Sequence, residues 1–281
     1  SLGAEAWPGA VPGLAEAGSN LYDLDGTLRL RDGLAEFRGG RIAVLVAGVP
    51  FKCPAAPYEA AMLIEASLRR RGLREKSGVD LYTPETLPMP VAGKALGEAV
   101  KGMVEGKGIG FHPQHKLADL EPGRRELSFA NGVKAGYDLL VVVPPHRCPP
   151  VVKQAGLTGE AGWVPVDKGT LATSHERVLA IGDVTAIKLP VGLMLPKAGV
   201  FAHAEAEVVA HNIAAELTGR GASTAFDGVG YCFVEMGDGV AAYAKGNFYA
   251  EPAPAMTLRS PSRLWHWGKI YLEKWWLRRW F

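Results

Sequence analysis

Apolar and polar positions alternate along the chain in blocks of two kinds. "RIAVLVA" (41–47) and "YDLLVVVPP" (137–145) are continuous apolar runs, the pattern of strands covered on both faces of a parallel sheet. "VDLYTPE" (79–85) reads as another strand. Between them, residues 57–71 place Ala61, Leu63, Ile64 and Leu68 at helical spacing and close on "RRRG", basic residues followed by a Gly stop. Residues 92–108 form a second helical block closed by Gly, and "GTLRLRDGLAEF" (26–37) a short one nearer the start. "HKLADLE" and "RRELSFANGV" read as short strands, with Asn-Gly marking a turn. The order over 41–145 is therefore β-α-β-α-β-β-β, a small three-layer α/β unit with a meander.

Beyond residue 146 the pattern changes. A loop leads to a predicted strand "RVLAIGD" (177–183), then to a long helix "GVFAHAEAEVVAHNIAAELTG" (199–219). "GYCFVEMGDGVAAYA" reads as a hairpin around "GDG", within 226–246. The final 22 residues hold five of the seven tryptophans, interleaved with Arg263, Lys269, Lys274, Arg278 and Arg279. Aromatic rings and basic groups in one helical segment suit a peripheral membrane-surface anchor, although Arg278 and Arg279 intrude on the aromatic side. The competing reading is a tail packed on its own domain or on a partner copy.

Composition narrows the classes. With 281 residues, 48% hydrophobic and 21% charged, the chain is long enough for two compact domains. A net charge of +2 gives no footprint for nucleic acid. No apolar stretch reaches the roughly 20 residues a membrane-spanning helix needs. Cys53, Cys148 and Cys232 lie far apart, so neither a zinc site nor a dithiol motif is expected, and the seven histidines show no metal spacing.

Two stretches carry chemistry. "TSHERVLAIGDVTAI" (173–187) ends an apolar strand on Gly182-Asp183. The glycine allows close backbone approach, and the carboxylate suits a ribityl hydroxyl of FAD; the plain alternative is an ordinary turn. Downstream, Lys197-Ala198-Gly199 opens the long helix, whose free N–H groups and positive dipole end suit an electron-rich flavin carbonyl.

"FKCPAAPYEAA", "YDLLVVVPPHR", "VLAIGDVTAI" and "LPKAGVFAHAEAEVVAHNIA", in that order, resemble the sulfide:quinone oxidoreductase branch of the two-dinucleotide-binding-domain flavoproteins. The resemblance covers nearly the whole chain but lacks an N-terminal FAD β-α-β with G-x-G-x-x-G. It implies an α/β fold of two Rossmann-like three-layer domains, the FAD domain incomplete, with a C-terminal hairpin and amphipathic helix. It also implies a C-terminal portion of such an enzyme. Residues 1–38 would end the first FAD segment, 39–145 form the NAD(P)-binding-like domain, 146–219 return to the FAD domain, and 220–281 form the hairpin and membrane-facing helix.

In a nicotinamide-binding relative the loop after the first strand carries G-x-G-x-x-G. Here "GVPFKC" (48–53) follows its one glycine with bulky side chains, and Pro50 lacks a donor, so NAD(P)H is disfavoured. The resemblance instead makes Cys53 the catalytic thiol, with Lys52 and the next helix start expected to lower its pKa. The bland alternative is a small buried hydrophobe. The family's second reactive cysteine would fall at Val184, which puts sulfide in question as donor. Cys148 is then the other nearby candidate and Cys232 is expected to be inert. FAD binding is assigned to Gly182, Asp183, Lys197, Ala198 and Gly199, and a quinone-facing surface to Val200 and Phe201. The expected activity is electron transfer from a small reduced donor through FAD to a quinone, at a membrane surface, with a homo-oligomer compatible. The alternatives are an NADH:quinone dehydrogenase and a non-catalytic fragment unable to hold FAD alone.

Overall fold

The computed structural model describes residues 1–281. Its main sheet is parallel, built from β1 (Ser19–Asn20), β2 (Gly40–Val46), β3 (Ser77–Tyr82), β4 (Gly110–His112) and β8 (Leu139–Val143), in the order β1-β8-β2-β3-β4. The continuous apolar runs sit at its centre: Val44 registers with Leu81 on one side and Val141 on the other, and all three are fully buried. Helices α1 (Leu24–Glu36), α2 (Ala56–Arg70) and α3 (Lys94–Glu105) supply the crossovers. On one face Ile42, Val44 and Leu81 share a core with Tyr58, Met62 and Leu68 of α2 and with Leu96 and Val100 of α3. The opposite face is covered by the meander β5 (Leu117–Glu121), β6 (Glu126–Phe129) and β7 (Lys134–Gly136), through Leu120, Leu127 and Phe129 against Ala43, Leu45 and Leu140.

The segment 19–36, expected in the first FAD piece, lies with this sheet: Ser19 and Asn20 pair in parallel with Val141 and Val142. Two residues give too short a run for apolar periodicity to register.

Residues 146–219 differ more. "RVLAIGD" is not a strand: it makes one isolated antiparallel bridge, Ala172 with Leu179, and Gly182–Val184 is a 3-10 turn. The reason is the lack of a ladder partner along its length, which leaves Val178 and Leu179 exposed. The parallel pairing present here is two residues long, Val164–Pro165 with Thr185–Ala186. The long helix forms as read, α4 (Gly199–Thr218).

The expected hairpin is a three-stranded antiparallel sheet: β9 (Val229–Glu235), β10 (Ala241–Asn247) and β11 (Ala255–Ser262). The third strand is masked in sequence by Pro252 and Pro254 just before it and by Pro261 within it, which an edge strand tolerates. α5 (Arg263–Trp280) lies on this sheet, with Trp265 stacked on Tyr243 at 4.7 Å. No helix is long and apolar enough to cross a membrane.

Candidate active site

A cavity of about 840 Å³ opens where three pieces of chain meet: the loop between β2 and α2, the start of α4, and the sheet β9–β11 with α5. Cys53, Lys197, Val200, Cys232, Lys269 and Trp276 all contribute to its wall.

Cys53 is placed by backbone contacts. Its N–H donates to the Lys197 carbonyl at 2.7 Å, and its carbonyl accepts from Ala56 at 2.9 Å. A parallel bridge between Lys52 and Lys197 joins the thiol loop to the lead-in of α4, 145 positions later in the sequence. Cys53 holds a φ of 52°, a left-handed conformation that costs a side-chain-bearing residue about 1–3 kcal/mol and persists only where its surroundings enforce it. The same contacts occupy a backbone donor that a dinucleotide loop would offer to a pyrophosphate.

The expected acidic shift of this thiol is reversed. Cys53 is exposed at the cavity wall, yet the protein packed around its sulfur, followed by the charge of Glu59, pushes the thiol up to about 11; Lys269 and the Ala56 amide at the helix start act against them. Lys52 does not face the thiol, because its ammonium donates to the Ala4 carbonyl at 3.2 Å.

Cys232, expected to be inert, lines this cavity. It sits on β9 and opens into the same cavity as Cys53, and burial raises its pKa strongly, with the charges of Glu59 and Cys53 adding to the effect. Cys148 is elsewhere, packed in a small separate core with Val152, Trp163 and Val184. Strand register, invisible in isolated sequence, decides which cysteines share a cavity.

The flavin-binding candidates also converge. Gly182 has φ of 75°, and a side chain there would come within 3.1 Å of Ala202 on α4. The carboxylate oxygen Oδ1 of Asp183 is buried without a hydrogen-bond partner, and burial raises its pKa against the charges of Lys197 and Lys52. A buried acceptor awaiting a donor fits a ribityl hydroxyl. Ala198 caps α4 with no side-chain hydrogen bond, so the helix start keeps amides for an acceptor atom. The residues present therefore fit FAD. Lys197 does not point at this space as a free cation. Its ammonium is buried, donates to the carbonyls of Asp183 at 2.6 Å and Thr185 at 3.1 Å, and lies 3.5 Å from the centre of the Trp163 ring. Burial brings Lys197 down to about 8. Val200 and Phe201 both line the cavity; Phe201 is also part of the core, 4% exposed and edge-on to Phe248 at 5.1 Å.

Several charged groups were missed. Glu59 on α2 accepts from Lys269 of α5 at 2.5 Å and from the Glu235 amide at 2.8 Å, pinning the tail behind the cavity. Tyr58 and Thr83 donate to Glu85 at 2.5 and 3.0 Å, and burial raises Glu85 to about 6. Glu205 on α4 is 1% exposed and accepts from the Gly182 amide at 2.5 Å. His146 is buried in a short strand; its Nδ1 meets the Pro144 carbonyl at 2.9 Å and burial lowers it to about 4. Glu205 had a signal: it falls one helical turn after Phe201, on an apolar face.

No family model matches the chain. It is 30% identical over 175 residues to mitochondrial sulfide:quinone oxidoreductase of Mus musculus, covering 60% of this chain and 38% of that protein. The same enzyme of Dictyostelium discoideum is 30% identical over 196 residues, covering 66% and 43%. The chain thus spans less than half the length of these two curated relatives. The fold superposes on the sulfide:quinone oxidoreductase of Aquifex aeolicus with a TM-score of 0.84 at 21% identity, covering 99% of this chain and 67% of the other. A NAD-dependent persulfide reductase from A. fulgidus matches with a TM-score of 0.61 at 19% identity, over 87% of this chain and 42% of that one. In sequence and in fold the chain is thus similar to sulfide:quinone oxidoreductases.

Proposed function

We propose that this protein is an FAD-dependent oxidoreductase that takes two electrons from a sulfide-type donor and passes them to a quinone. The carrying observation is that one apolar cavity holds two thiols, the flavin-facing start of α4 and the inner side of the tail helix. In this reading 39–145 is a dinucleotide-type domain that carries a thiol in place of a nucleotide. Residues 1–38 and 146–219 serve the FAD side, and 220–281 close the cavity towards the membrane. Gly182 and Asp183 hold the ribityl chain, while Ala198, Gly199 and the α4 dipole face the ring system. Lys197 braces the turn from behind.

A sulfur atom can be handled by the thiols without further reagents. Joining hydrosulfide to the Cys53 thiol forms one S–S bond, leaves a persulfide anion and releases two electrons and two protons. Bound FAD supplies the two-electron acceptor, and the quinone leaves as quinol with both electrons and both protons. The persulfide sulfur then moves to Cys232 by exchange: the bond at Cys53 breaks, a bond at Cys232 forms, and no further oxidant is needed. Because the surrounding protein and the charge of Glu59 push both thiols up and keep them protonated at neutral pH, their protons must leave during the reaction.

The outer side of α5 bears Leu264, Trp267 and Tyr271, each more than 60% exposed, on a helix that also carries basic residues. That face fits an anionic membrane surface, with the cavity beneath it.

The test uses the flavin-loaded protein and a short-tailed quinone. Sulfide should reduce the quinone; Cys53→Ser should abolish this and Cys232→Ser should strongly impair it. Full turnover by both variants would remove the thiols from the mechanism. NADH-driven turnover without sulfide would favour the dehydrogenase reading.

A further inference from the structure

Glu205 is a carboxyl group with no charged partner. It is 1% exposed, in mid-protein, on α4. Its single hydrogen bond is from a neutral backbone amide, Gly182 N–H, at 2.5 Å. No ion pair includes it: the ammonium of Lys197 is spent on the carbonyls of Asp183 and Thr185. An enclosed carboxylate without a cation costs several kcal/mol in its charged form, and a glutamine would satisfy the same amide without that cost. A small crevice lined by Gly182, Asp183, Lys197 and Glu205 connects it to the flavin-binding turn. It therefore lies directly behind the two residues that would grip the cofactor, and on the helix whose start would face its ring system.

We propose that Glu205 is a redox-linked proton acceptor, taking up one proton when the bound flavin gains negative charge and returning it on reoxidation. The inference rests on the flavin reading above and goes beyond it, because it concerns charge balance and not electron transfer. The electrostatics support the geometry. Burial pushes Glu205 up to about 7, with the Gly182 amide opposing, Asp183 adding to the rise and Lys197 opposing it. The group is therefore poised between its two forms at neutral pH, where added negative charge nearby has the greatest effect on its occupancy. The other titratable groups around it are the Tyr249 phenol, which burial and Glu205 itself keep protonated, Lys52 acting on Asp183, and His203 and Glu207 on its own helix, which pair with each other at 3.4 Å. None of these supplies a neutralising charge at hydrogen-bonding distance from Glu205.

The balance is simple. The donor supplies two electrons and two protons per turnover. One proton accompanies the electrons onto the cofactor, the second is held by Glu205, and both leave with the quinol.

The experiment is a redox titration of the flavin-loaded protein at a series of pH values, together with a reduced-minus-oxidised infrared difference spectrum. In the wild type the midpoint potential should fall more steeply just above pH 7 than in Glu205→Gln, by about 30 mV per pH unit, the value for one additional proton in a two-electron couple. A protonated-carboxyl band should appear on reduction, shift in D2O, and vanish in the variant. Equal slopes in the two proteins, or the same band in both, would overturn the proposal while leaving the flavin reading standing. If Glu205→Gln fails to retain flavin, the wild-type spectrum decides, because absence of the band rules the proposal out and Glu205→Asp must move a band that is present. A wild-type protein that holds no flavin would overturn the proposal and the reading beneath it together.

Discussion

At the scale of single residues, the site is built from groups whose environment matters more than their identity. Asp183 has the right chemistry for the ribityl hydroxyl proposed for it, and its buried and unpartnered Oδ1 is the observation that supports that proposal. Replacing it by alanine should cost about 1.5–3 kcal/mol of flavin binding, the worth of a hydrogen bond to a charged group, or roughly 10- to 150-fold in dissociation constant. Fluorescence titration of bound FAD checks this, and an unchanged constant would take Asp183 out of the site. Cys53 gives the opposite lesson. A lysine neighbour and a helix start suggested an acidic thiol, yet Lys52 points to Ala4 while burial and Glu59 govern the sulfur. Neighbours in sequence did not become neighbours in electrostatics.

At the scale of elements, amphipathic order was legible wherever an element is closed by its own signals. α2 carries basic residues in its last turn, and β2 and β8 are continuous apolar runs. Elements that depend on a partner were not legible: the strand read at 177–183 has none along its length, and β11 exists because β10 lies beside it. The tail helix shows both faces of the problem. Its inner side is fixed by Lys269 on Glu59, His266 on Glu235 and Trp276 against His203, so packing on its own domain is real. Its outer side leaves Trp267 and Tyr271 65% and 71% exposed. Trp267→Ser with Tyr271→Ser should therefore weaken binding to anionic liposomes by a few kcal/mol, at about 25 cal/mol per Å² of apolar ring withdrawn, and leave the fold intact. Flotation assays at low and high salt read this, and unchanged flotation would move the contact surface elsewhere.

At the scale of the whole molecule, buried titratable groups set opposing slopes of stability with pH. His146 is lowered by burial to about 4 from 6.5, so the stability it supports is lost as pH falls through that interval. Glu205 is raised by burial to about 7 from 4.5, so its contribution is full at low pH and is lost as pH rises through that interval. The two slopes largely cancel between about pH 4.5 and 6.5. Denaturant unfolding should show Glu205→Gln gaining on the wild type as pH rises from 4.5 to 7, by at most about 3 kcal/mol. His146→Gln should gain as pH falls from 6.5 to 4. A pH-independent difference in either variant would mean that the group is not held as the structure shows.

The sequence by itself determined the parallel α/β unit, its helices, the degenerate nucleotide loop and the Gly182-Asp183 and Lys197-Ala198-Gly199 candidates, because each is written in local periodicity, capping or turn chemistry. Tertiary structure alone decided that Cys232 shares a cavity with Cys53, that Lys197 is turned onto backbone carbonyls, and that Glu205 lies behind the Gly182-Asp183 turn. Those outcomes depend on strand register and on contacts between segments more than 100 residues apart, such as Cys53 with Lys197 and Glu59 with Lys269. Burial, the first cause of the shifts at Asp183, Lys197 and Glu205, exists only once those segments have closed on one another.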